Sequence, residues 1–243
     1  MIRFKDVKKS FGTKEVLRGM SVEIKTGEVF FVLGCSGTGK SVMLKHLVGL
    51  LEPDSGEIWV DDDEISRFTE AQFENIRKKC GLVFQLPALV DSRNLYENLT
   101  LGIRQMPFAQ QQIVIPKALQ DVGMEKIFPE IFDRYPPSLS YGEQKRLALA
   151  RTLLPDPEIL LYDEPTTGLD NKNALLIHDL IKSISKHRNK TSIVVSHDMR
   201  NALATADRLA VVDAGRVIDL GTPDEIMASK VELTRSFLED LRE

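Results

Sequence analysis

Two kinds of hydrophobic pattern divide the chain. From Ile2 to Val7 and from Ser21 to Ile24 apolar and polar residues alternate, as they do in strands with one face covered. Val29 to Leu33 and Ile159 to Tyr162 are unbroken apolar runs bounded by Gly, Asp or Pro, the pattern of strands buried on both faces. Glu57 to Val60, Gly81 to Phe84, Ser192 to Val195, Leu209 to Val212 and Val217 to Leu220 are further strand candidates. Helical patterns such as Leu175 to Ser185 fall between them, and that interleaving predicts an α/β fold.

The middle of the chain follows a different rhythm. From about residue 87 to 153 strand-like runs thin out and Ala, Leu, Gln, Glu and Arg dominate, with breaks at Pro107, Pro116, Pro129 and Pro136-Pro137. A mainly helical insertion is expected there. Ile226, Leu233, Phe237 and Leu241 stud an otherwise charged ending and predict short terminal helices. The resulting division is one domain over 1–243: an α/β core at 1–86 and 154–220, a helical part at 87–153 and a helical tail at 221–243. No period of 20–50 residues and no low-complexity tract points to a solenoid.

Composition narrows the class. A chain of 243 residues with 42% hydrophobic and 28% charged residues is neither collagen-like nor disordered, and it can bury a sizeable core. With 32 basic and 36 acidic residues its net charge of −4 gives no global attraction to nucleic acid or anionic membrane. The longest apolar run, Val29 to Leu33, falls far short of the ~18 residues of a membrane span. Met1-Ile-Arg-Phe-Lys-Asp6 carries charge where an export signal needs apolar residues, so a cytosolic location is expected. Cys35 and Cys80 are too few for a disulfide framework and lack the spacing of a zinc site.

Chemistry enters directly after the first buried run. Gly34-Cys35-Ser36-Gly37-Thr38-Gly39-Lys40-Ser41 matches G-x-x-x-x-G-K-[ST], between a strand ending at Leu33 and a helix-like run from Val42 to Leu50. Three glycines let the backbone curl so that its N–H groups surround phosphate oxygens at a positive helix end. Lys40 would reach the β- and γ-phosphates, Ser41 would ligate Mg²⁺, and the loop through Val42 would hold the nucleotide. A glycine-rich turn with a chance Lys-Ser is the alternative, and the strand–loop–helix context argues against it. Ile159-Leu-Leu-Tyr-Asp-Glu-Pro165 supplies the complementary acids. Asp163 is placed to organise Mg²⁺ and Glu164 to polarise the attacking water.

The guanine-reading motif Asn-Lys-x-Asp is missing, because Asn171-Lys172 and Asn189-Lys190 are followed at the Asp position by Ala174 and Ser192. Between the two nucleotide motifs stands Leu139-Ser-Tyr-Gly-Glu-Gln144, followed by Lys145-Arg146 and Leu147-Ala-Leu-Ala-Arg151. With these residues the chain resembles the ATP-binding subunit of an ABC transporter over nearly its whole length. The resemblance implies a mixed sheet with flanking helices, an N-terminal antiparallel β-subdomain and a helical subdomain. It implies that Gln85 contacts metal and water, that His197 holds γ-phosphate, and that Phe11 stacks on adenine. It further implies that Ser140, Gly142 and Glu143 of one copy, with Asp170 beside them, close over ATP bound by another copy. Tyr141 departs from the family's usual Leu-Ser-Gly-Gly-Gln, and it would either crowd that approach or face outward.

A homodimer sandwiching two ATP and their Mg²⁺ follows from that resemblance, driving separate transmembrane permease subunits from the cytoplasmic face of the membrane. Leu86 to Val90 and Leu95-Tyr96 offer apolar residues for the permease contact, or they fill the insertion's own core. Cys80 to Ser92, Leu95 to Leu99, Gly221 to Ile226 and Ser236 to Glu239 resemble phospholipid-trafficking importers of the Mla/Mce class. That would add periplasmic or regulatory lipid-transport subunits as partners. Amino-acid importers share several of these stretches and form the alternative, as does a soluble assembly factor of the same superfamily.

Overall fold

The computed structural model describes residues 1–239 and 241. β1 (Ile2–Phe11) and β2 (Lys14–Ile24) pair antiparallel around Gly12-Thr13. β4 (Ser55–Val60) and the short β5 (Asp63–Glu64) extend them into a sheet of order β2-β1-β4-β5. The second sheet contains β3 (Val29–Leu33), β6 (Cys80–Val83), β7 (Ile159–Asp163), β8 (Thr191–Ser196), β9 (Arg208–Asp213) and β10 (Arg216–Gly221). Its order is β10-β9-β3-β8-β7-β6, parallel throughout except for β10, which runs antiparallel to β9.

The unbroken apolar runs are explained by two cores, one on each face of the second sheet. Phe30 and Val32 of β3 and Ile159 and Leu161 of β7 point toward the antiparallel sheet. They pack there with Phe4, Met20 and with Met43 and Leu44 of α1 (Lys40–Leu47). Phe31, Leu160 and Tyr162 point the other way, onto Ile177 and Ile181 of α6 (Asn171–Arg188). Both strands are buried on both faces, so alternation vanishes from their sequence. The alternating strands run longer than the pattern predicted: β1 reaches Phe11 and β2 begins at Lys14. Register shifts between Phe4 and Val7 and between Lys9 and Ser10 break the period of two, and the sequence pattern breaks with it.

Residues 84–158 contain no strand. They form α3 (Leu95–Leu99), α4 (Phe108–Asp121) and α5 (Tyr141–Leu153), linked by short 3₁₀ turns. Pro107, Pro129 and Pro136 sit at a helix cap or in those turns, but Pro116 lies inside α4 and does not end it. A proline there removes one backbone donor, yet Ile115, Ala118 and Leu119 of the same helix are buried, and their burial outweighs the loss. Leu95 is also fully buried within the insertion, so it is core and not permease surface. Tyr96 is half-buried against Phe108 and Phe132, whereas Leu86 and Val90 remain exposed.

The remaining helices are α2 (Glu70–Lys79), α7 (Met199–Thr205), α8 (Pro223–Met227) and α9 (Glu232–Glu239). Ile226 of α8 is buried, and Phe237, Leu238 and Leu241 pack on the core beside it. Asp219 of β10 accepts hydrogen bonds from Ser229 and Thr234, which fixes the start of α9. Among the described residues no helix is long and apolar enough to cross a membrane.

Candidate nucleotide site

The loop after β3 passes between β9 and β2 with room only for glycine at two points. A Cβ at Gly34 would lie 2.3 Å from the carbonyl oxygen of Val212, and one at Gly39 (φ 102°) would lie 2.6 Å from Leu17. The loop wraps around Lys40, whose ammonium is buried and donates to the carbonyls of Gly34 and Cys35, both at 2.8 Å. Thr38 closes the curl by donating its hydroxyl to Cys35 O at 2.9 Å. Burial pulls the Lys40 ammonium below the ordinary lysine range, while Glu164, Cys35 and Asp163 act against that. The first turn of α1 contains no acid, so its positive end faces the loop uncompensated.

The acidic wall comes from the end of β7. Ser41 Oγ donates to Asp163 Oδ1 at 2.6 Å. Glu164 follows in a left-handed backbone conformation (φ 49°), its N–H donating to Val195 O at 3.0 Å. This twist turns its carboxylate inward: Oε1 lies 3.9 Å from Lys40 Nζ and Oε2 lies 2.8 Å from His197 Nδ1. His197 itself is exposed, carried on the loop between β8 and α7. Lys40, Ser41, Glu164 and His197 line a cavity of about 730 Å³ together with Cys35, Ser36, Gly37, Gly39, Val42 and Gln85.

These donors suit a magnesium nucleotide. Among the described residues no cluster of three or more His, Cys, Asp or Glu is arranged to hold a metal. The adjacent Ser41 hydroxyl and Asp163 carboxylate provide the few hard oxygen ligands Mg²⁺ takes from protein when phosphates and water complete its shell. A buried lysine, a glycine cradle and an unopposed helix end provide the phosphate counterpart.

The cavity also has walls that the sequence pattern did not single out: Lys14 and Val16 from β2, Thr167, and Phe237 from α9. Phe237 is separated from the phosphate loop by about two hundred positions of sequence, and its charged surroundings in the tail give no sign of such a role. Phe11 stands 46% exposed at the end of β1, with the Lys9 ammonium 5.7 Å from its ring, and it is outside the cavity lining.

Ser140, Gly142, Glu143 and Asp170 also lie outside the lining of their own chain's cavity. Ser140 caps α5, and Glu143 turns back to it, accepting from Ser140 N at 2.8 Å and Ser140 Oγ at 2.7 Å. Those two hydrogen bonds hold the Glu143 carboxyl below the usual carboxylate range. Asp170 caps α6 by accepting from Asn173 N, and Asn173 in turn faces Gly142, where a Cβ would stand 3.0 Å from Asn173 Oδ1. Tyr141 lies along Gly168, whose added Cβ would be 3.1 Å from its ring, so the tyrosine is directed to its own chain.

Lys145, one turn into α5, is a further residue that pattern reading passed over. It is 3% exposed, and its Nζ donates to Gln85 O at 2.6 Å and Pro165 O at 3.0 Å. Burial draws its ammonium down to about 8, opposed by the negative charge of Glu164.

Known proteins share the sequence and the fold. The family model described as "ABC transporter" matches residues 17–167. A methionine import ATP-binding protein of Carboxydothermus hydrogenoformans is 35% identical over 93% of this chain and 67% of its own length. Its counterpart in Mesorhizobium japonicum is 34% identical over 100% of this chain and 66% of its own length, so the chain spans about two thirds of these relatives. The protein cbiO1 from Clostridium perfringens, part of the ABC transporter complex cbiONQ, superposes with a TM-score of 0.85 at 30% identity, covering 99% of this chain and 96% of that one. The post-hydrolysis dimer of the ATP-binding cassette MJ0796, bound to ADP and Pi, gives 0.81 at 29% identity over 92% and 99%. The relatives reported favour the small-solute alternative over the phospholipid reading drawn from the tail and from Cys80 to Ser92. The chain belongs to the ABC transporter family, as an ATP-binding and ATP-hydrolysing cassette.

Proposed function

We propose that this chain is the motor subunit of an importer for an amino acid or similar small solute, working as a dimer beneath a transmembrane permease. The observation that carries this reading is its 32–35% identity, across nearly its whole length, to methionine import ATP-binding proteins. In each copy, Lys40 and the loop amides hold the β- and γ-phosphates, and Ser41 with Asp163 holds Mg²⁺. When bound, the metal neutralises charge building on the transferred phosphate. Glu164 takes a proton from the attacking water, and His197 keeps the Glu164 carboxylate pointed at it through the 2.8 Å hydrogen bond. Gln85 reaches the same cavity just after the end of β6, where it would contact metal and water.

The dimer follows from what one copy lacks. Ser140 and Gly142 lie outside their own cavity at the N-terminus of the thirteen-residue α5, so this helix end can meet a second copy's γ-phosphate once Ser140 turns its N–H and Oγ away from Glu143. Hydrolysis removes that bridge and the dimer opens. The exposed Phe84, Leu86 and Val90 beside Gln85 form the surface on which a cytoplasmic helix of the permease sits, next to a groove of about 390 Å³ that Arg77, Phe84, Leu101 and Arg151 line. Membrane attachment at the cytoplasmic face would come through that partner.

Purification of the tagged chain from detergent-extracted membranes, with mass spectrometry of what accompanies it, tests the transport assignment. A multispanning protein should copurify, and the reconstituted complex should raise its ATP turnover when methionine or another small amino acid is supplied with its binding protein. Stimulation by phospholipid alone would replace the cargo assignment with the Mla/Mce one. Association only with soluble complexes would remove transport altogether.

A further inference from the structure

We propose that Lys145 is a positioning residue for hydrolysis: it ties the helix that begins at Ser140 to the two loops that carry Gln85 and Glu164. The inference rests on Glu164 being the group that polarises water. The geometry is specific. The end of β6 leads into Gln85 and the end of β7 into Glu164-Pro165, and these neighbouring parallel strands deliver both loops to one side of the cavity. Lys145 reaches across from the helical part and donates to the backbone carbonyls of Gln85 (2.6 Å) and Pro165 (3.0 Å). The aliphatic stem is buried, and the Nζ sits 5.5 Å from the ring centre of Tyr141, one turn earlier on α5.

The carbonyls of Gln85 and Pro165 depend on this ammonium for their hydrogen bonds, so removing its donors costs some stability. What the charge does here is connect. Pro165 is bonded directly to Glu164, whose left-handed backbone aims the carboxylate, and Gln85 lines the same cavity. Because both carbonyls bond to one side chain of α5, a shift of α5 moves the Gln85 loop and the Glu164 loop together with Ser140. Reorientation of the helical part on the core, driven by a permease or by a second copy, therefore reaches the catalytic carboxylate through a single atom.

The test uses the 243-residue chain with Lys145→Met, which keeps the volume and removes the donors, and Lys145→Gln, whose amide can still serve one carbonyl. Steady-state ATP turnover and thermal melting are measured for each beside Glu164→Gln. The expected result for Lys145→Met is a folded chain with a lowered melting temperature, a kcat lowered about tenfold and a KM for ATP within about twofold, with Lys145→Gln intermediate. Wild-type kcat in a folded Lys145→Met chain, or a rise in KM with kcat unchanged, would overturn the proposal. If the Met variant does not fold, Lys145→Gln decides: a reduced kcat at unchanged KM supports it and wild-type kcat refutes it. Glu164→Gln reports separately, since turnover surviving that change would remove the water-polarising role and leave the Lys145 kinetics to be read by themselves.

Discussion

Glu164 holds the least comfortable backbone in the site. A non-glycine residue in the left-handed region costs on the order of 1–3 kcal/mol, and here the hydrogen bond from its N–H to Val195 O, the hydrogen bond between its carboxylate and His197, and the nearby Lys40 ammonium hold it in place. The strain buys orientation, because an ordinary strand continuation would swing the carboxylate away from the cavity. Glu164→Gln keeps the shape and removes the base, so ATP binding should persist, turnover should fall at least a hundredfold, and the dimer should accumulate with ATP and Mg²⁺. Gel filtration showing monomer only, with normal turnover, would contradict that role. Lys40, Ser41, Asp163 and Glu164 were legible in sequence because each belongs to a short contiguous motif whose spacing is dictated by phosphate and metal geometry. The roles of Val16, Lys145 and Phe237 were not, since each reaches the site through tertiary packing that no local spacing encodes.

At the level of elements, the doubly buried strands β3 and β7 are readable because continuous apolarity needs two covering layers, which the second sheet has. β1 and β2 outrun their alternation where bulges reset it, and the break expected at Pro116 does not end α4. That proline leaves the Gln112 carbonyl without its usual i+4 donor. Pro116→Ala should therefore stabilise the chain by about 1–2 kcal/mol, the restored hydrogen bond and relieved clash outweighing the lost chain restriction. Urea unfolding reads this as a raised midpoint at constant slope; a lowered midpoint would mean that α4 is bent at this position by design of its packing. The capping box at Ser140 and Glu143 starts α5, and under the proposed function the same residues would also meet a second copy's nucleotide.

Across the whole molecule, the nucleotide cavity is assembled from both ends of the chain. The β2 residues Lys14 and Val16 face it from one side and Phe237 from the other, while Phe11 stands away from it. Phe237→Ala should weaken binding of a fluorescent adenine nucleotide severalfold, and comparison with Phe11→Ala separates the two aromatics: a loss confined to Phe11→Ala would return the stacking role to β1. The position of β3 has a further consequence, for the order in which the protein comes into being. The strand that carries the phosphate loop is made early, yet its two neighbours are Ser192–Ser196 of β8 and Arg208–Val211 of β9, near the other end of the sequence. On the ribosome the loop therefore emerges long before the strands that hold it, and closing so long a stretch of chain is slow. Nucleotide can be gripped only after residues 192–211 have been synthesised, which keeps shorter nascent chains from competing for ATP or for a dimer partner.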